Sequence, residues 1–372
     1  MSSTRPNTPE PILPESNYLD AYSGTGVSSD AASRSLRELL PSIKKTFALR
    51  QGTGRPVLDI GFFANVLDLG GGQGLAISTD GVGTKILVAE RLGKYDTIGI
   101  DCVAMNVNDV ICVGAEPIAM VDYIGVEMAD PSVFRELGKG LLRGAELSGI
   151  SIPGGEVAQV AEMIRGVSDG RGLDLVGTCV GLVPLDRVIT GSDVVEGDAL
   201  IGLASSGIHS NGLTLARRLL LDSARFNLNS HVADLGRTLG EELLEPTTIY
   251  VKFAVEALRA GIPIKALVHI TGDGLLNLTR VAAPVGFDIE DPVEAPPIFD
   301  IIQRAGEVPV EEMFKVFNMG MGLSAIVAPE EAGGLLDLAG KHGHPAKVIG
   351  HTSREPKTVR LIPRGLAWKG SH

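Results

Sequence analysis

The octet Ser78-Thr79-Asp80-Gly81-Val82-Gly83-Thr84-Lys85 constrains this chain more than any other stretch, because it carries an acid, two glycines and a lysine across one junction. Leu75-Ala76-Ile77 before it reads as the end of a buried strand, and Ile86-Leu87-Val88-Ala89-Glu90 after it as the start of a helix. Glycines at such a junction let backbone N–H groups approach an anion. Asp80 supplies a ligand for a cation, and Lys85 a charge that neutralises phosphate. The Gly-x-x-x-x-Gly-Lys-Ser/Thr order of the common phosphate loop is absent. Taken alone, the octet fits a nucleotide-phosphate site and a plain strand-to-helix turn with a surface lysine equally well.

A second acidic stretch favours the first reading. From Ile98 to Val110 apolar residues recur at helical spacing, interrupted by the oxygen ligands Asp101, Asn108 and Asp109. Asp101 and Asp109 lie eight residues apart, roughly two turns, so both are expected on one side of a helix. Carboxylates on an apolar helix are costly to bury unless a cation or hydrogen bonds compensate them. Convergence of Asp80, Asp101 and Asp109 on Mg2+ and phosphates meets that requirement. Pro117 ends the helical stretch.

Composition narrows the class. A chain of 372 residues suggests two domains. Only 4% of residues are aromatic, so the cores must be built from Ala, Val, Leu and Ile. The net charge of −12 argues against nonspecific nucleic-acid binding but not against a phosphorylated substrate, since a few local cations reverse the field in a pocket. Cys102, Cys112 and Cys179 sit in apolar runs without disulfide or metal spacing, and read as buried thiols. No signal-peptide core or membrane-length stretch is present, which points to a cytoplasmic protein without a membrane partner.

The blocks around these acids resemble the aminoimidazole ribonucleotide synthetase, or phosphoribosylformylglycinamidine cyclo-ligase, family. The resemblance rests on Thr79 to Lys85 and Asn108 to Pro117, then Tyr22 to Val27, Gly154-Gly155-Glu156, Ser205 to Gly212, Pro246 to Lys252, His269-Ile270-Thr271-Gly272 and Phe317 to Gly322. Two departures stand out. Val157 replaces a small hydroxyl residue, and Asp273 stands where the family commonly has a third glycine.

The remaining elements are read in order. Residues 1–20 form a mobile arm. Ser28-Ser29-Asp30 caps a helix that Pro41 should kink or end, leaving Lys44 and Lys45 as weak candidates near the nucleotide. Strands are expected at Phe62 to Leu69 and Leu75 to Thr79, joined by the glycine hairpin Gly70 to Gly74, then at Ile118 to Val126, Ile150 to Ile152 and Leu173 to Val183. Gly154-Gly155 should place Glu156 in a ligand-accessible loop at a strand end. Further on, strands are expected at 199–204, 266–268, 323–327 and 346–349, and helices at 213–221, 251–260, 275–281, 298–305, 310–317 and 330–340. Lys369 to His372 reads as a tail. His209 and Asn211 fall in a loop rich in glycine and hydroxyls, and His269 at a strand end. Such placements suit ribose-phosphate contact or proton transfer, while a capping loop and a core histidine remain the plainer readings.

The element order indicates an α+β fold of two α/β domains. The resemblance implies more: an N-terminal ATP-binding domain over 21–185, whose mixed sheet pairs into a dimer barrel, and a C-terminal α/β domain over 186–372 that completes the substrate cleft. It implies ATP-dependent closure of formylglycinamidine ribonucleotide to aminoimidazole ribonucleotide in a homodimer. Asp80, Gly81, Gly83, Thr84, Lys85, Asp109, Glu156 and Asn211 would hold the Mg2+-nucleotide, and Lys85, His209 and His269 would serve the chemistry. Rival readings are another phosphoryl-activating member of the superfamily or a catalytically silent nucleotide-binding protein. The selenophosphate and hydrogenase-maturation relatives are disfavoured, because no cysteine lies near Gly70 to Gly74 and the chain ends in His372.

Overall fold

The computed structural model describes residues 29–222 and 226–370. The expected arm over 1–20, and Ser371 and His372 of the expected tail, lie outside the described residues. Two mixed sheets form the frame. The first holds β1 (Arg55–Pro56), β2 (Asn65–Gly70), β3 (Gln73–Gly81), β4 (Glu116–Val126), β5 (Ser151–Gln159) and β6 (Leu173–Pro184), in the order β1-β2-β3-β6-β4-β5. All its neighbours are antiparallel except β4 and β5. A parallel pair needs a crossover, and the helix Pro131–Ser148 supplies it. That helix starts where Asp130 accepts from Ser132 N at 2.8 Å with Pro131 in the first turn, and stops at left-handed Gly149.

The second sheet contains β7 (Ala199–Ala204), β10 (Ala266–His269), β11 (Gly286–Ile289), β12 (Met321–Val327), β13 (Ala346–Ser353), β14 (Thr358–Leu361) and β15 (Leu366–Lys369), in the order β10-β12-β7-β13-β11-β14-β15. The short pair β8 (His231–Val232) and β9 (Arg237–Thr238) stands apart.

The helix Ile98–Cys112, called the central helix below, packs on β3 and β6 and also meets β10 of the second sheet. Thirteen of its fifteen residues are buried. It approaches the Pro131–Ser148 helix backbone to backbone: a Cβ on Gly99 would lie 2.5 Å from Leu141 N, and one on Gly140 2.2 Å from Asp96 O. Only glycine at both positions allows that separation.

Several expectations change. The first helix, Ser29–Lys45, runs through Pro41, because on an exposed helix water can satisfy the carbonyl that proline leaves unpaired. Gly154, Gly155 and Glu156 lie within β5, not in a loop after it; β5 is an edge strand whose backbone pairs with β4 alone, so glycine does not interrupt the ladder. The segment expected as a helix over 275–281 is a 3-10 helix, Gly274–Arg280. The one expected over 213–221 is helical at Leu213–Arg217 and continues as a π turn, Arg218–Asp222. Lys369 belongs to β15, opposite Thr358. The hairpin reading of Gly70 to Gly74 agrees with positive φ at Gly70, Gly71 and Gly72.

Candidate active site

Each polar residue of the central helix meets a partner distant in sequence. Asn106, fully buried, accepts from Asp80 N and donates to Asp80 O, both at 3.0 Å, and so fixes the main chain at the end of β3. Asn108 donates to Thr248 O at 2.8 Å and accepts from Tyr250 N at 3.1 Å. Asp109 lies 2.9 Å from His269 Nδ1 through Oδ1 and 3.4 Å from Ser78 Oγ through Oδ2. The helix thereby joins the end of β3 to the end of β10, and the cost of burying its polar groups is offset by hydrogen bonds.

Asp80 and Asp109 form an acid pair at that junction. Burial first, and the Asp109 charge second, push the Asp80 carboxyl up to about 6; the Gly81 N–H, His269 and Arg280 oppose the shift. A buried carboxylate that also feels a like charge is compensated by a bound cation. Asp80 has a folded pKa above its unfolded value, so its ionisation costs stability: nothing below about pH 4, the full amount above about pH 6, or about 3 kcal/mol. Asp80→Asn is therefore expected to stabilise the metal-free protein at pH 8 and to lose about half of that gain at pH 5. Urea unfolding in a chelator at both pH values checks the sign; an equal gain at both would refute it.

Lys85 and Asp101 are placed otherwise than the sequence suggests. Both side chains are fully buried, and Lys85 Nζ lies 3.0 and 2.9 Å from the two Asp101 oxygens. Nζ also donates to Glu245 O at 2.5 Å. Asp101 Oδ1 further accepts from Thr247 N at 2.8 Å and Thr247 Oγ1 at 2.6 Å, with Ser210 Oγ at 3.3 Å. Lys85 is thus neither a surface lysine nor open to a phosphate. Nor does Asp101 join the acid pair: eight residues along a helix is about 12 Å, so it sits at the other end from Asp109, neutralised by Lys85. The two make a buried clasp between β3's following turn and the loop carrying Thr247. Thr84 Oγ1 adds a second tie at 2.8 Å from Thr214 Oγ1.

Gly81 closes β3, and Gly83, at φ +67°, has open space where a Cβ would stand. His209 adopts φ +64° and is buried. Its Nε2 accepts from Ser206 N at 3.2 Å and Thr248 N at 3.4 Å, which puts the proton on Nδ1. Burial chiefly, with the His269 and Lys85 charges, holds His209 well below the ordinary histidine range, so the neutral ring braces the loop through Nε2. Gly322 packs against it: a Cβ there would lie 2.0 Å from Tyr250 Oη and 2.7 Å from His209 Cε1. Asn211 stands beside Gly272, whose Cβ would lie 3.2 Å from Asn211 Oδ1.

Glu156 is not brought to the acid pair within one chain. In the ladder, Asp80 aligns with Gly177, Asp122 and Gly155, whereas Glu156 aligns with Tyr123, Val176 and Gly81 in the next row. Alternation turns Glu156 to the opposite sheet face, three strands or about 14 Å away. Lys44 pairs with Asp59 at 2.7 Å on the surface. All three cysteines are buried and free, with burial pushing Cys179 to about 12.

Sequence reasoning missed Asn106, Asp122 and Arg280. Asp122 shares Asp80's face and row, and burial raises its carboxyl. An acid alternating with Met120 and Ile124 in a strand was the available signal. Asn106 interrupts the apolar helix as Asn108 does; Arg280 carried no signal.

Two sheets bridged by a helix that presents an acid pair define the class to which the family models speak. The chain matches the model of the AIR synthase related protein, N-terminal domain, over residues 63–183 and that of its C-terminal domain over 195–362. It is 49% identical over 323 residues to the phosphoribosylformylglycinamidine cyclo-ligase of Thermococcus kodakarensis, covering 86% of this chain and 92% of the relative. The chain belongs to the phosphoribosylformylglycinamidine cyclo-ligase family. Solved structures share the fold. One is a thiamine-monophosphate kinase from Stenotrophomonas maltophilia, with 20% identity, TM-score 0.58, and 87% and 95% of the two chains covered. Another is T. maritima PurL complexed with ATP, with 14% identity, TM-score 0.55, and 82% and 44% covered.

Proposed function

We propose that the protein uses ATP to close formylglycinamidine ribonucleotide to aminoimidazole ribonucleotide, releasing ADP and phosphate, as a step of purine biosynthesis in the cytoplasm. The observation that carries this reading is the 49% identity to a named cyclo-ligase across 92% of its length. The acid pair supports it, standing at the junction of the two sheets where a phosphorylated ligand could touch both.

The formyl amide is a poor electrophile, and its activation needs positioning and charge stabilisation rather than a protein nucleophile. Asp80 and Asp109 fit Mg2+, which keeps several waters and takes one or two carboxylates together with substrate phosphates. Among the described residues no group of three or more His, Cys, Asp or Glu is arranged to hold a metal, so the pair suits an ion shared with phosphates. Bound there, Mg2+ would neutralise phosphate charge. Gly81, Gly83 and Thr84 shape the adjoining backbone, and Asn211 lines the opposite loop. His269 directs Nδ1 at Asp109, which leaves Nε2, buried and without a partner, for a substrate or water contact.

A domain boundary at 185 and 186 is supported by the end of the first sheet's β6 at Pro184 and the start of the second sheet's β7 at Ala199. Among the described residues no helix is long and apolar enough to cross a membrane. The first sheet's outer face shows Ile77, Val121, Tyr123 and Leu182, each 37–45% exposed, and this apolar surface supports homodimer formation by sheet pairing. Val121→Glu with Leu182→Glu should convert the dimer to monomer in light scattering. A wild-type monomer would refute it.

The function itself is tested by ADP release with and without formylglycinamidine ribonucleotide, while the aminoimidazole product is followed. Equal amounts of ADP and product, both dependent on substrate, are expected. ATP binding without substrate-dependent turnover would replace this reading with a silent nucleotide-binding protein or a relative with another acceptor.

A further inference from the structure

With Lys85 engaged by Asp101 and Glu245, the acid pair needs another source of positive charge toward phosphate, and the structure supplies one from the second half of the chain. Arg280 ends the 3-10 helix Gly274–Arg280. Its guanidinium carbon lies 4.8 Å from the centroid of the Phe63 ring, and Nη2 reaches Asp273 Oδ2 at 3.4 Å. Phe63 in turn leads to the acids: Ser78 Oγ lies 3.4 Å from both Phe63 O and Asp109 Oδ2. Arg280 Nε is buried with no hydrogen-bond partner, while the side chain as a whole is 25% exposed. One edge of the guanidinium is therefore held by the protein, with donors left over. Its charge reaches Asp80, where it opposes the upward pull of burial.

Asp273 occupies the N-cap position of the same 3-10 helix, yet makes no side-chain capping bond. An aspartate at that position commonly caps the helix that follows; here the carboxylate turns to Arg280 instead. The ring below and the carboxylate beside it restrict a long side chain that solvent would otherwise leave mobile.

We propose that Arg280 stabilises the negative charge of the phosphoryl group during its transfer, and that Asp273 is the positioning residue that aims it. This rests on the cyclo-ligase reading. In that reaction the formyl oxygen bonds to the γ-phosphorus while the bond to the bridging oxygen breaks, its electron pair leaving on ADP. The ribosyl-bearing amidine nitrogen then bonds to the formyl carbon, and the carbon–oxygen bond breaks with its pair leaving on phosphate. The protons of that nitrogen and of the formamide nitrogen pass to phosphate and solvent, and a proton shift from the ring CH2 to the imine nitrogen completes the aminoimidazole. Arg280 stays protonated throughout, since guanidinium does not deprotonate in proteins. It acts by charge and by its planar fork of donors, which matches phosphoryl oxygens.

The test compares wild type with Arg280→Met, Arg280→Lys, Asp273→Asn and the double variant Arg280→Met/Asp273→Asn. Loss of one preorganised donor to a developing anion typically lowers kcat about 100-fold. Arg280→Met is expected to lose about that much with KM for ATP changed less than about threefold, and Arg280→Lys to recover part of it. Asp273→Asn should lower kcat by a smaller factor and add nothing in the Arg280→Met background. A second readout needs no acceptor substrate: Mg2+-ADP affinity with and without aluminium fluoride, a mimic of the transferring phosphoryl group. Wild type should gain affinity from the fluoride, and Arg280→Met should lose that gain while still binding ADP. If wild type shows no cyclisation yet this difference persists, the cyclo-ligase reading fails and the role of Arg280 stands. A folded Arg280→Met with kcat within twofold of wild type, a change in KM alone, or an Asp273→Asn effect undiminished without Arg280 would overturn the proposal. If Arg280→Met does not fold, Arg280→Lys and Asp273→Asn decide by the same fluoride difference.

Discussion

Lys85→Met is expected to lower the free energy of unfolding by about 3–5 kcal/mol, the usual cost of removing one partner from a buried ion pair. The side chains of Lys85 and Asp101 are fully buried, and methionine fills much of the lysine's volume, so the loss measures an unpaired charge rather than a cavity. Thr247 and Ser210 would still face the Asp101 carboxylate but bring no positive charge. Adding Asp101→Asn to Lys85→Met should recover part of the loss, because the stranded charge is then gone. Denaturant unfolding of the two single variants and the double gives the coupling between the pair. Domains are stable by only about 5–15 kcal/mol, so the single variant should also melt well below wild type. Were Lys85 instead a phosphate contact, Lys85→Met would spare stability and weaken ATP binding. That opposite pattern would show the clasp to be unimportant.

Asp109→Asn is expected to lower kcat by about 100- to 1,000-fold, the scale on which removal of one electrostatic contributor acts. Asparagine keeps the shape and can still bond His269, but it brings no charge to Mg2+ or phosphate. The concentration of Mg2+ needed for half-maximal turnover should rise in parallel. Removing the Asp109 charge also takes away the second cause of the raised Asp80 pKa, so the acid limb of the turnover profile should move to lower pH. Full turnover by a folded Asp109→Asn protein would remove Asp109 from the site.

Some of this was legible without coordinates. The periodicity of 98–110 marks a helix, and the run of apolar residues before Asp80 marks a strand, because alternation and helical spacing are local properties. The acids at positions 80 and 109 were legible as a pair because charge on an otherwise apolar element demands compensation. The identity of the compensating group was not. Asp101 carries the same local signature as Asp109, yet one meets a lysine and the other a histidine and a serine. The partners that separate their roles lie 16 residues away at Lys85, with Thr247 a further tie 146 residues away, and 160 residues away at His269.

Glu156 shows the same limit in a sheet. Its glycine neighbours suggested a loop, and nothing local revealed that an edge strand would continue through them and turn the carboxylate to the face opposite Asp80. Register settles that choice, and register depends on which strand lies alongside. Pro41 is the reverse case: its local rule is strong, but an exposed helix tolerated it.

The sequence by itself determined many of the elements and their order, though not β11, β14 or β15, together with the apolar runs and the residues able to carry charge, since these follow from spacing and side-chain chemistry along neighbouring positions. Only the tertiary structure decided that Lys85 is buried against Asp101, that Asp109 joins His269, and that Arg280 lies on the Phe63 ring beside Asp273. A charge's role depends on what surrounds it, and those surroundings come from parts of the chain that meet only when the two sheets close on the central helix.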